Sequence, residues 1–118
     1  MEIKKRERNN VIIFDIIGDF QKSTANIGTL HQCVKDQLNA GKRNFLLNLE
    51  NVDNIDDFGV GEILTIYISI HNLGGKMKHI PIKFFVEHNI KIECGMEVFE
   101  DEEKAIKSFK IQNLHQKN

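Results

Sequence analysis

Apolar residues along this chain fall in short blocks separated by glycine, asparagine or charged residues, and the blocks alternate between strand-like and helix-like spacing. Glu2 to Arg8 alternates weakly, and Asn9-Asn10 supplies a turn. Val11-Ile12-Ile13-Phe14-Asp15-Ile16-Ile17 follows as a nearly unbroken β-branched and aromatic run, the pattern of a strand covered on both faces, and Gly18-Asp19 ends it. A helix is predicted from Ser23 or Thr24 to about Ala40. Ile27, Leu30, Val34 and Leu38 recur there at three- and four-residue steps, and Gly41 closes the C-terminus. Phe45 to Leu49 reads as a second buried strand. Gly59 to about Leu73 reads as a second helix with Val60, Ile63, Leu64 and Tyr67 on one face; Ile66, Ile68 and Ile70 make it unusually apolar, and Gly74-Gly75 terminates it. Lys76 to Ile80 is a short strand that Pro81 confines to an edge or an end.

Between Ile82 and Phe99 the pattern is ambiguous, since Lys83-Phe84-Phe85-Val86 is compatible with a third helix or with a strand. Asp101 to Phe109 is helical in pattern, with Ala105, Ile106 and Phe109 spaced for docking, and the polar residues Lys110 to Asn118 are expected to fray. The order is an opening hairpin followed by β-α-β crossovers. It predicts one α/β domain over residues 1–118, a mixed sheet of four or five strands with helices packed on it.

Composition narrows the functional classes. The 118 residues leave little room for a second domain, and 41% hydrophobic with 28% charged residues fits a globular chain. A net charge of −1 offers no basic field for nucleic acid or anionic lipid. No apolar run approaches the ~20 residues that cross a bilayer, so no membrane insertion is expected, and the charged N-terminus does not resemble a signal peptide. Cys33 and Cys94 stand apart, as reduced thiols of a cytoplasmic protein do.

The most distinctive stretch is Asn54-Ile55-Asp56-Asp57-Phe58-Gly59-Val60-Gly61-Glu62-Ile63-Leu64, at the passage from a strand into a helix. Two adjacent carboxylates there invite a metal or acid–base reading. The alternative is an acidic N-cap, in which Asp accepts from the free N–H groups of the first turn and complements the helix dipole. No distant Lys and Thr complete a receiver-type site. The five histidines show no i, i+4 pairing, Gly59-Val60-Gly61 lacks the length and lysine of a P-loop, and Ser23, Ser69 and Ser108 have no evident base. No catalytic residue, metal or cofactor is expected. The acidic run Glu100 to Glu103 reads as a solvated first turn of the last helix.

Together these segments resemble the STAS domain, the fold of bacterial anti-sigma-factor antagonists, over about residues 8–109. The resemblance is carried by Val11 to Gly18, by Gly18-Asp19-Phe20-Gln21-Lys22-Ser23-Thr24-Ala25, by Gly41 to Leu49, by Val52 to Gly59, by Leu73-Gly74-Gly75 and by Glu102 to Ala105. It implies a non-catalytic signalling module that binds an anti-sigma factor or kinase-like ATPase, and it places Asp57 at the position where the family carries a phosphorylated serine or threonine. A carboxylate cannot accept that phosphate. Two further departures are Phe58 where the family has a small residue and Gln21 where it usually has Asp; the stretch after Pro81 is also short, so a curtailed third helix is expected. The implied partner surface comprises Asp56, Asp57, Phe58, Gly59, Val60 and Glu62, with Gly18, Asp19, Gln21 and Lys22 alongside. Alternatives are a structural STAS subunit of a signalling or lipid-transport assembly, and a small phospho-Asp receiver, which the topology disfavours.

Overall fold

The computed structural model of the chain describes residues 1–23, 28–90 and 96–116, with side chains through residue 109. Along the chain run β1 (Glu2–Arg8), β2 (Val11–Phe20), α1 (Thr29–Asn39), β3 (Asn44–Asn48), β4 (Val52–Ile55), α2 (Asp57–Asn72), β5 (Lys76–Ile80), α3 (Lys83–Glu87) and α4 (Glu102–Gln116). The five strands form one mixed sheet, so the expected α/β architecture is the one observed.

Asn9 and Asn10 both adopt positive φ, 52° and 64°, which joins β1 to β2 by a two-residue turn whose twist suits a hairpin. β3 then pairs parallel with β2 and β5 parallel with β3. β2 runs past the predicted stop at Gly18-Asp19 as far as Phe20. Its register shifts between Gly18 and Asp19, Gly18 takes φ 92°, and its final residues pair in parallel with β4, a strand that the sequence pattern did not separate from the following loop. Pro81 does follow an outer strand. The free edge of β5 is met by Glu97–Phe99, where His79 N–H donates to Glu97 O (3.0 Å) and Phe99 N–H to His79 O (3.0 Å).

The alternation of β2 serves two cores. Ile12, Phe14 and Ile16 join Phe45, Leu47, Leu30, Val34, Ile63, Ile66 and Ile70 on the side of α1 and α2, whereas Val11 and Ile13 join Leu46, Ile80, Ala105, Ile106 and Phe109 under α4. Three helical expectations change. The first helix starts at Thr29 rather than near Ser23, directly after Gly28 in a left-handed conformation (φ 78°); Thr24 as cap and Ile27 in the stripe lie outside the described residues, as does Cys94. In α2 the buried face is Gly59, Ile63, Ile66 and Ile70, while Val60, Leu64 and Tyr67 are only half-buried. The backbone of α4 stays helical to Gln116, where fraying from Lys110 was expected. The ambiguous Lys83 segment is helical, and at five residues it is as short as the sequence implied.

Nor is the acidic run before α4 merely a solvated turn. Asp101 caps the helix through Lys104 N–H (2.9 Å). Glu102 accepts from both Arg6 and Arg8 of β1, and Arg6 also clasps Asp15 of β2 through two hydrogen bonds of 2.7 and 3.0 Å. Hydrogen bonds from Arg6, first among the causes, hold the Asp15 and Glu102 carboxyls below their ordinary ranges. A folded-state pKa depressed in this way contributes stability above the unfolded value, lost as pH falls through the folded one. Arg6→Met is therefore expected to lower unfolding stability by about 1 kcal/mol near neutral pH, a discounted figure because the pairs are partly exposed. Denaturant unfolding across the acid range should show that difference vanishing once pH is well below the ordinary carboxyl values of 3.8 and 4.5.

Candidate functional site

At one pole of the sheet the chain leaves β2 and β4 side by side and enters α2, and Asp56 ties these segments together. As N-cap of α2, in extended conformation, it accepts through Oδ1 from Gly59 N–H (3.0 Å). Its Oδ2 accepts from the backbone N–H of Lys22, in the loop beyond β2, also at 3.0 Å. Gly59 N–H, then Lys22 N–H, hold the Asp56 carboxyl below its ordinary range, so it stays ionised as the double acceptor this geometry needs. The capping reading of Asp56 is thus the observed one. A second cross-link runs beside it: Asn54 Nδ2 donates to Asp19 Oδ1 at 2.8 Å, between residues that are also paired in the sheet.

Gly59 is required by close approach. A Cβ there would run into the carbonyl oxygen of Phe20 and lie 2.7 Å from Ile55 Cγ1, so α2 can reach the sheet only without a side chain at this turn. Asp57 then occupies the first helical position and is exposed, with Phe58 half-buried next to it. Among the remaining site residues, Gly18, Asp19, Gln21, Val60 and Glu62 are all partly covered. Gly18 and Asp19 end β2, Gln21 adjoins Lys22 in the tethered loop, and Val60 and Glu62 lie on the opening turns of α2. The structure brings these segments to one pole.

Phe20, Asn54 and Gly61 lie in stretches the sequence marks out but were not among the expected site residues. Phe20 and Asn54 belong to pairing that only the extended β2 and the extra strand reveal. Gly61 carried a readable signal, an interior helical glycine, which costs roughly 0.5–1 kcal/mol relative to Ala. Nothing lies within 4 Å of where its Cβ would stand. It opens a groove shared by Phe58, Glu62 and His31 of α1. His31 Nε2 lies 3.1 Å from Ser69 Oγ, and the Ser69 hydroxyl also reaches Thr65 O (3.0 Å). Burial, with Lys35 nearby, lowers the His31 pKa, so the ring is neutral near pH 7. Among the described residues no cluster of three metal-ligating side chains occurs.

The STAS-domain family model matches residues 2–105. The chain belongs to the STAS domain family. Its fold is similar to that of the anti-sigma factor antagonist SpoIIAA in its unphosphorylated form, at 12% identity and a TM-score of 0.67 over 97% of this chain and 98% of that one. It is similar also to a Thermotoga maritima protein described as a putative anti-sigma factor antagonist, at 21% identity and 0.68 over 92% and 94%. A third likeness is to the murine anion transporter Slc26a9, at 12% identity and 0.68, over 90% of this STAS domain but 18% of the transporter chain. No curated protein matches in sequence.

The two glycines of this STAS pole should respond oppositely to alanine. Gly59→Ala is expected to destabilise by about 1–3 kcal/mol, because the backbone of Phe20 cannot yield as a side chain would. Gly61→Ala should be neutral or stabilising by up to ~1 kcal/mol. Urea unfolding of both variants checks the contrast.

Proposed function

We propose that this STAS domain is a non-catalytic signalling module of the anti-sigma-factor-antagonist kind, engaging an anti-sigma factor or kinase-like ATPase through the Asp56–Gly59 pole. One observation carries the reading: Asp56 fixes two loops and a helix start by backbone hydrogen bonds, and this rigid platform presents exposed Asp57 and half-buried Phe58. A docking surface preorganised in that way loses little conformational entropy on association. The fold shared with SpoIIAA supports the class of partner. Among the described residues no helix is long and apolar enough to cross a membrane, which accords with action in the cytoplasm.

Asp57 stands at the family's phosphoacceptor position, so the domain is insensitive to serine phosphorylation and held in one signalling state. Aspartate carries about −1 against about −1.5 to −2 for phosphoserine, with fewer acceptor oxygens. A partner shaped for a neutral serine is repelled by it; one with Arg or Lys opposite Asp57 binds constitutively through a charge-assisted contact that salt weakens. We favour the second, because the Asp56 carboxylate is already satisfied by backbone donors and leaves Asp57 as the carboxylate offered outward. A second reading, a STAS module built into a larger assembly, is compatible with the likeness to Slc26a9; co-purification with the products of neighbouring transporter genes in place of kinase-like ones would select it.

The test is a pull-down of kinase-like proteins encoded beside this gene, using wild type, Asp57→Ser, Asp57→Asn and Phe58→Ser. Constitutive binding predicts that Asp57→Asn loses both affinity and salt dependence. Phe58→Ser should weaken binding by at least ~1 kcal/mol with thermal stability nearly unchanged. If both Asp57 variants bind as wild type at every salt concentration, Asp57 serves only the helix terminus. A large loss of stability in Phe58→Ser would assign Phe58 to the core instead.

A further inference from the structure

The groove between the start of α1 and the opening turns of α2 has a shape and a chemistry that the fold itself does not use. Gly61 leaves its middle empty, since a Cβ there meets nothing within 4 Å, and no positive φ explains the glycine. Gly59, one residue away from Val60 on the other side, is accounted for by its contact with Phe20; Gly61 has no such account.

The charge of the groove is only partly met. Both carboxylate oxygens of Glu62 are shielded from solvent and complete no hydrogen bond among the described residues. Burial pushes the Glu62 carboxyl up, and the nearby His31 backbone N–H offsets only part of that. A buried carboxylate is costly unless donors or a cation meet it. No lysine or arginine is among the described residues lining the groove, and the His31 ring is engaged with Ser69 through Nε2. Asp57 lies on the rim and adds to the negative potential, while Phe58 offers an apolar wall.

We infer that this groove receives one long basic side chain, arginine or lysine, from the protein partner, its aliphatic stem lying over Gly61 against Phe58 and its cationic head drawing out the Glu62 carboxylate, which is covered in the free domain. Such a residue matches all three features at once: its stem is apolar, its head is a donor and a cation, and arginine packs favourably on an aromatic ring. A neutral polar side chain leaves the Glu62 charge uncompensated, and an apolar one leaves it without donors as well. The inference rests on the docking reading of the Asp56–Gly59 pole and adds to it the chemistry of one partner residue, distinct from the contact at Asp57.

The full chain, labelled with ¹⁵N, is titrated with a blocked glycine–arginine–glycine peptide and with its citrulline and norleucine counterparts. Saturable amide shifts centred on Gly61 and Glu62 are expected for the arginine peptide only. Affinity should fall by about tenfold or more in Glu62→Gln and in Gly61→Leu, the equivalent of at least ~1.4 kcal/mol. Both variants are expected to fold, the first because it is isosteric and the second because its side chain enters open space; thermal melts verify this, and the smaller Gly61→Ala serves if Gly61→Leu does not fold. Equal responses to arginine and citrulline, a stronger response to norleucine, or no saturable response at all overturns the inference. The same variants in the pull-down separate it from the reading beneath it. Capture by wild type that survives both substitutions overturns the groove and leaves the partner class standing. A localised arginine response with no capture of any kinase-like protein supports the groove and overturns that partner class.

Discussion

The strand Val11–Phe20 is the constraint on which the rest of the molecule depends. It is hydrogen-bonded to three other strands, antiparallel to β1 and parallel to β3 and β4. Its side chains go to both faces, with Phe14 and Phe45 stacked at 6.4 Å on the α1–α2 side and Val11 and Ile13 under α4. A strand so placed has no solvent face, which is why its sequence is nearly continuous in Val, Ile and Phe. The kink at Gly18 lets the same strand leave the central ladder and carry Asp19 and Phe20 to the pole.

At that pole the anchoring contacts engage only some of the residues. Asp56 is occupied by backbone donors and Gly59 by the approach of α2 to Phe20, so both are structural in the strict sense. Exposed Asp57, half-buried Phe58 and the groove at Gly61 take no part in those contacts. In the proposed docking mode these anchors hold Asp57 and Phe58 in place for a partner.

The opposite face is closed by electrostatics as much as by packing. α4 buries Ala105, Ile106 and Phe109, but its first turn is located by Arg6 and Arg8 reaching Glu102 and Glu103. Deeper in, Lys78 is 1% exposed, donates to Ser108 Oγ at 2.7 Å and has Phe109 4.5 Å from its nitrogen. Burial lowers its pKa, with Glu97 opposing the shift. Ion pairs and a cation–π contact of this kind fix where α4 docks more than how strongly it does.

Much of this could be read from the residues alone, where the physics is local. Unbroken apolar runs gave the strands, paired asparagines the hairpin, glycines the helix ends, and an Asp at a strand-to-helix passage the cap. Side-chain alternation is a property of the backbone, so the two-faced character of β2 was already legible in Val11 to Ile17. Other features needed partners distant in sequence. The face of α2 turned inward is decided by Gly59 meeting Phe20, not by periodicity within the helix. β4 is a strand because β2 bends to pair with it, the acidic run before α4 is ordered because β1 supplies arginines 94 to 96 residues away, and Lys78 is buried because α4 covers it. Hydrogen bonds and ion pairs across such separations leave no periodic trace in the chain, and only the tertiary structure decides them.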